Sequence, residues 1–148
     1  MWQSIPADED YNSDAWRRSE IPSVTGQGTA RGVAKIYNAL AAGVRAGARP
    51  LVRPDVLARC LVEQNAPGPN GEPARLRMGV GFMLNSPPQR AIGPNPAAFG
   101  HSGAGGAQGF ADPEAELSFC YAMNRMQDGV ETGIRATSLI DAAYRSIG

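Results

Sequence analysis

The densest run of chemically usable groups in this chain is Phe99-Gly100-His101-Ser102-Gly103-Ala104-Gly105-Gly106. It holds the sole histidine of the 148 residues, with a serine directly after it. Three kinds of chemistry fit such a run. Gly100-His101-Ser102-Gly103-Ala104 nearly spells G-x-S-x-G, the strained strand-to-helix turn that exposes a nucleophilic serine in α/β-type hydrolases. The match fails at Ala104, and Pro94-Asn95-Pro96 stands where a buried strand should lead in. The lone His101 is also the serine's chain neighbour, whereas a triad needs a base that arrives from elsewhere in space. Next, Gly103-Ala104-Gly105-Gly106-Ala107-Gln108-Gly109 invites a phosphate-loop reading. That fingerprint requires G-x-G-x-x-G opening a helix, but position 108 is Gln and Phe110-Ala111-Asp112-Pro113 approaches a turn. The third reading is a substrate-lining strand, whose small residues at 103–107 let a ligand take main-chain hydrogen bonds. His101 and Ser102 would then stand at the mouth.

Composition removes other classes. Lys+Arg and Asp+Glu number 14 each, so no net field draws the chain to nucleic acid or an anionic membrane. No apolar run approaches the ~20 residues of a membrane helix. The opening Met1-Trp2-Gln3-Ser4-Ile5-Pro6-Ala7-Asp8-Glu9-Asp10 is acidic and has no apolar h-region, which favours a cytoplasmic location over export. Cys60 and Cys120 are far apart and lack a C-x-x-C partner, so they read as buried reduced thiols. One histidine and two scattered cysteines give no metal site, and nothing calls for a cofactor.

The elements that must position the run follow from periodicity. Residues 1–28 form an irregular lead-in, broken by Pro6, Pro22, Gly26 and Gly28. Residues 29–66 are the helical part. Ala30, Val33, Ala34, Tyr37, Leu40, Ala41 and Val44 share one face of a helix at about 29–46. Pro54 opens a shorter one bearing Val56, Leu57, Cys60 and Leu61. The proline- and glycine-rich stretch 67–73 must be a loop. Residues 76–148 hold the strands and a last helix. Leu76, Met78, Val80, Phe82 and Leu84 alternate as one strand. Residues 106–111 and 116–124 make a hairpin around Asp112-Pro113-Glu114-Ala115. Ser118, Cys120 and Ala122 form a small face, against which a C-terminal helix at about 131–147 can pack through Ala136, Ile140, Ala143, Tyr144 and Ile147. The expected architecture is α+β in one partial domain over 1–148: three antiparallel strands, the C-terminal helix on the sheet, and two further helices.

Taken together, Phe99-Gly100-His101-Ser102-Gly103-x-Gly105-Gly106-x-x-Gly109-Phe110-x-Asp112-Pro113 and Phe119-x-Tyr121-x-Met123-Asn124 resemble the C-terminal portion of the serine β-lactamase and penicillin-binding-protein-like hydrolases. The esterase and class C-related branch is the nearest. The segment from Pro22 through Thr29-Ala30-Arg31-Gly32-Val33-Ala34-Lys35-Ile36-Tyr37 is similar to that branch's helix entry. Arg77-Met78-Gly79-Val80-Gly81-Phe82 resembles the strand before its active-site strand. The resemblance spans most of residues 20–148. It implies a partial β-lactamase-like domain and hydrolysis of esters or β-lactams through an acyl-enzyme. His101, Ser102 and Gly103 then match the family's Lys-Thr-Gly triplet, an active-site wall, and the backbone N–H of Ala104 becomes an oxyanion donor.

The nucleophilic half of the motif set is missing. The family's serine belongs to S-x-x-K, and with Lys35 the only lysine that serine would be position 32, which is Gly32. Tyr11-Asn12-Ser13 copies the second motif only superficially and lies at the wrong spacing from His101. The implied protein is therefore inactive alone, with a small-molecule ester or β-lactam-like ligand. Its other expected partner is the missing N-terminal half or a second copy. The alternatives are a non-catalytic remnant that binds a ligand or partner, and an α/β-type hydrolase using Ser102.

Overall fold

The computed structural model describes residues 12–41, 50–65, 76–87, 92–129 and 132–148. Within the lead-in, Ser13 Oγ accepts the Trp16 amide at 3.1 Å and caps a single turn, α1 (Asp14–Arg18). Thr29 Oγ1 does the same for Gly32 N at the start of α2 (Ala30–Ala41). The far end of the expected 29–46 helix and the 67–73 loop lie outside the described residues. α3 (Pro54–Cys60) starts on Pro54, where a missing N–H leaves no bond unmade. α4 (Ile134–Ile147) closes the chain. Among the described residues no helix is long and apolar enough to cross a membrane.

The architecture is α+β, with a four-stranded antiparallel sheet in the order β1 (Met83–Leu84), β2 (Phe99–Ser102), β3 (Gln108–Asp112), β4 (Leu117–Tyr121). Period-two counting reaches three strands because β2, Phe-Gly-His-Ser, offers no polar and apolar alternation to count. The alternating stretch 76–84 is not one strand. Gly79 N donates to Phe82 O at 2.8 Å and Leu84 N to Arg77 O at 2.9 Å, so the chain doubles back through Val80 and Gly81. Only Met83 and Leu84 join the sheet.

The two faces are covered by different helices than the side-chain sizes suggest. On one face Phe99, Ala111 and Leu84 pack with Leu40, Ala41 and Leu57, and Tyr37 leans against them. This is the small face, and α2 rather than α4 lies on it, close over β3 and β4. The reason is Gly109: a Cβ there would meet Tyr37 Cε2 at 2.7 Å and Val33 Cγ1 at 3.1 Å. The other face carries Phe110, Leu117 and Phe119, and α4 covers it through Ile140 and Tyr144. The rings of Phe110 and Tyr144 stack at 6.3 Å. Each fully buried side chain of this kind, such as Phe99 or Phe110, contributes about 1.5–3 kcal/mol.

Asp112 joins these layers from within. Fully buried, it accepts Glu114 N at 3.0 Å and Ala115 N at 3.1 Å on Oδ1. Its Oδ2 accepts Asn95 Nδ2 at 2.9 Å and the Tyr144 hydroxyl at 2.5 Å. One carboxyl thus closes the β3–β4 turn, anchors the loop before β2 and holds α4. Burial, followed by the Asp112 hydrogen bond, raises the Tyr144 hydroxyl's pKa.

Candidate active site

The register of β2 decides where the sequence-predicted residues point. β1 pairs only with Gly100 and Phe99, whereas β2 continues through His101 and Ser102. At that end β2 runs beyond its neighbour on one side and is backed by β3 on the other. Successive strand residues face opposite ways. His101, paired with Gly109, falls on the α2 face and is exposed. Ser102 falls on the opposite face, is 5 % exposed, and has its N and Oγ each 3.5 Å from Met83 Sδ. The strand therefore separates the two side chains expected together at the mouth: His101 is presented and Ser102 is tucked behind.

The small-residue run after them is a turn, not a strand along which a ligand could lie. Gly103 is extended, and its N–H donates to Ala107 O at 2.8 Å across a tight 3₁₀ turn, Ala104–Gly106. Gly105 and Gly106 take φ of +82° and +97°, a backbone that side chains rarely tolerate, so glycines are needed there to bring β3 back beside β2. Gly105 N donates to Gly129 O at 3.1 Å and Gln127 N to Gly105 O at 3.0 Å, so the loop after β4 braces this turn. Nothing in the sequence of residues 125–129 signals that role, nor the approach of Met83 sulfur to Ser102. Ala104 is exposed, and its amide donates to no acceptor among the described residues.

This geometry overturns the nucleophile-elbow reading. Ser102 ends an antiparallel strand, and a three-residue turn and another strand follow it where an elbow needs a helix. The phosphate-loop reading fails for the same reason. The imidazole is turned to its own backbone, with Nδ1 2.6 Å from Ser102 O.

Two further ionisable groups on the α2 face, Tyr37 and Cys120, are shifted by burial. Burial, and then Cys120, push the Tyr37 hydroxyl up to about 12. Burial also raises the Cys120 thiol and keeps it protonated. Both cysteines are free, and half-buried where full burial was expected. An apolar cleft of about 420 Å³ lies at the opposite end of β2, lined by Leu84, Ala98, Phe99 and Pro113 among others. Its cation, Arg77, is already engaged by Glu63 Oε2 at 2.9 Å and Asn85 O at 3.0 Å. That cleft is separate from the His101 end.

Comparison with known proteins gives the family and the fold. The family model described as Beta-lactamase matches residues 2–144. Among solved structures, a family VIII carboxylesterase is 42% identical with a TM-score of 0.77, covering 90% of this chain and 36% of its own. A penicillin-binding protein homolog from Caulobacter crescentus is 38% identical, with a TM-score of 0.77 and the same two coverages, 90% and 36%. EstA from Arthrobacter nitroguajacolicus Rue61a is 31% identical with a TM-score of 0.64, over 81% of this chain and 32% of that one. The chain thus spans about a third of the length of these structures. Comparison with curated proteins gives no match. The match over residues 2–144 and the shared fold place the chain in the beta-lactamase family, alongside esterase and penicillin-binding-protein relatives.

Proposed function

We propose that these 148 residues form one wall of an acyl-enzyme pocket that hydrolyses carboxylic esters or β-lactams, and that the attacking serine comes from polypeptide outside this sequence. The observation that carries the proposal is the projecting end of β2, where β1 stops at Gly100 and the exposed His101 and Ala104 follow. His101 faces the ligand. Gly103, without a side chain, lets the acyl group approach the strand. The Ala104 amide donates to the carbonyl oxygen as negative charge develops on it. Ser102 holds the wall from behind, against Met83.

In this scheme a serine hydroxyl gives its proton to the lysine of its S-x-x-K motif, on the same outside polypeptide, and its oxygen adds to the carbonyl carbon; the oxyanion settles on the Ala104 N–H, and the proton passes on to the leaving oxygen or lactam nitrogen. Collapse expels the alcohol, or opens the lactam ring, and water then releases the acyl group. An amide in that position is worth about 10²–10³ in rate. Without an S-x-x-K serine in the sequence the chain has a wall and no nucleophile, so it is inactive alone.

The partner is the remainder of the fold. β4 ends the sheet, and its Leu-Ser-Phe-Cys-Tyr sequence has no charge, proline or glycine to blunt the edge. Ile36, Val80 and Val62 are each more than half exposed. A strand from the missing portion would pair with β4 beside Ile36 on α2, while Val62 and Val80 stand at the β1 edge of the sheet; with these surfaces open, copies of the chain associate with one another.

A chromogenic ester and a chromogenic cephalosporin test the reading. Purified chain alone gives no turnover above buffer. Mixing it with a separate polypeptide that carries the S-x-x-K portion of a related carboxylesterase gives turnover that needs both. Hydrolysis by the purified chain alone contradicts the proposal.

A further inference from the structure

We propose that the neutral ring of His101 is the Nδ1–H tautomer, so that in this form its distal Nε2 meets ligand as a hydrogen-bond acceptor. The geometry begins in the backbone. His101 Nδ1 lies 2.6 Å from the carbonyl oxygen of Ser102. A carbonyl oxygen only accepts, so a contact that short requires the hydrogen on Nδ1. In the neutral ring the lone pair then belongs to Nε2, the reverse of the tautomer that free histidine prefers. Which nitrogen carries the proton is set by the bond the other one makes.

The strand fixes the ring as well as the proton. Ser102 is 5 % exposed and its amide and hydroxyl approach Met83 Sδ, so the carbonyl it presents sits on anchored backbone. His101 is exposed on the α2 face, beyond the end of β1. Its outer nitrogen thus stands where a ligand would pass.

This placement has a consequence for substrate class, which rests on residues 101–104 being the pocket wall. A lysine at position 101 would supply a charged donor and attract a carboxylate. A neutral acceptor does the opposite: it takes a hydrogen bond from an O–H or N–H beside the reacting carbonyl and sets its lone pair against a carboxylate. With the ring neutral, the wall therefore favours an uncharged ester bearing a donor group over its anionic counterpart.

The histidine is the only one in the sequence, so its ring can be read without background. The chain is labelled with ¹⁵N-histidine and a long-range proton–nitrogen spectrum is recorded at a pH where the ring is neutral. Magic-angle-spinning spectra of the same sample serve if copies associate. The expected spectrum places the proton on Nδ1 and leaves Nε2 as the unprotonated nitrogen. A proton on Nε2, or two nitrogens averaged as in free histidine, overturns the proposal. Ethyl lactate and lactate are then added separately at equal concentration. Nε2 is expected to shift with the ester more than with the carboxylate. A larger shift with lactate, or none with either, overturns the substrate half. The tautomer is read without a nucleophile, so it can fail while the hydrolase reading stands, and the reverse holds too.

Discussion

Replacing Tyr144 with Phe tests how the C-terminal helix is tied to the strand behind the site. The hydroxyl donates to Asp112 Oδ2 at 2.5 Å, and the carboxyl is fully buried. The phenyl ring keeps its stacking on Phe110 at 6.3 Å, so no cavity opens. The change therefore removes the hydroxyl's interactions alone, the bond to Asp112 and a long approach to Ile92 O at 3.5 Å. Bonds to charged groups are worth about 1.5–3 kcal/mol. Oδ2 retains Asn95 at 2.9 Å, and Oδ1 retains the two turn amides, which points to the lower half of that range. At about 2–4 °C per kcal/mol for a chain of this size, the melting temperature falls by roughly 3–9 °C. Thermal unfolding followed by far-ultraviolet circular dichroism, at low concentration to limit association, measures it. Asp112→Asn should cost more, because its amide nitrogen would face a group that can only donate on either side, the Glu114 and Ala115 amides or the Asn95 amide nitrogen. A Tyr144→Phe melt within about 0.5 kcal/mol of the parent refutes the reasoning. So does a loss from Tyr144→Phe as large as from Tyr144→Ala, since the ring would then carry nothing.

Tyr37 is neutral in the folded chain up to about 12 but ionises near 10 when unfolded. Stability is therefore unaffected by it below pH 10 and falls between pH 10 and about 12, by at most about 2 kcal/mol given its partial exposure. Urea unfolding across that range should show the fall, and Tyr37→Phe should flatten it, leaving the part due to Tyr144. Gly109→Val forces a side chain into Tyr37 and Val33 and should lower stability by about 1–3 kcal/mol, measured by the same unfolding. Tyr121→Lys places a charge on the open β4 edge and should reduce the scattering mass at high concentration. In the mixture with the S-x-x-K polypeptide, Ala104→Pro removes the amide hydrogen, and kcat should drop by about 10²–10³ while KM changes little.

Residues with a strong local signal were legible from sequence. Asp112-Pro113 followed by Glu114 and Ala115 marked the β3–β4 turn, and the structure closes it with the Asp112 side chain. Pro54 marked the start of α3. The α+β class followed from the change of period at Leu76. Local pattern was least informative where distant segments compete. Alternation over 76–84 is real, but alternation does not say whether the chain runs straight through Val80 and Gly81 or turns back there. Likewise, small side chains on β4 invited a helix without saying which. α2 took that face because Gly109 admits Tyr37 and Val33, and α4 went where Tyr144 could reach Asp112. At the candidate site the motif located residues 101–104. Strand parity, which depends on pairing, put His101 and Ser102 on opposite faces.

The most direct measurement is intact-mass and peptide mass spectrometry after exposure to a fluorophosphonate, with the chain alone and then mixed with the S-x-x-K polypeptide. The expected result is no adduct on the chain by itself and, in the mixture, an adduct confined to the serine of the added polypeptide. A covalent adduct on any serine of these 148 residues, Ser102 above all, contradicts it.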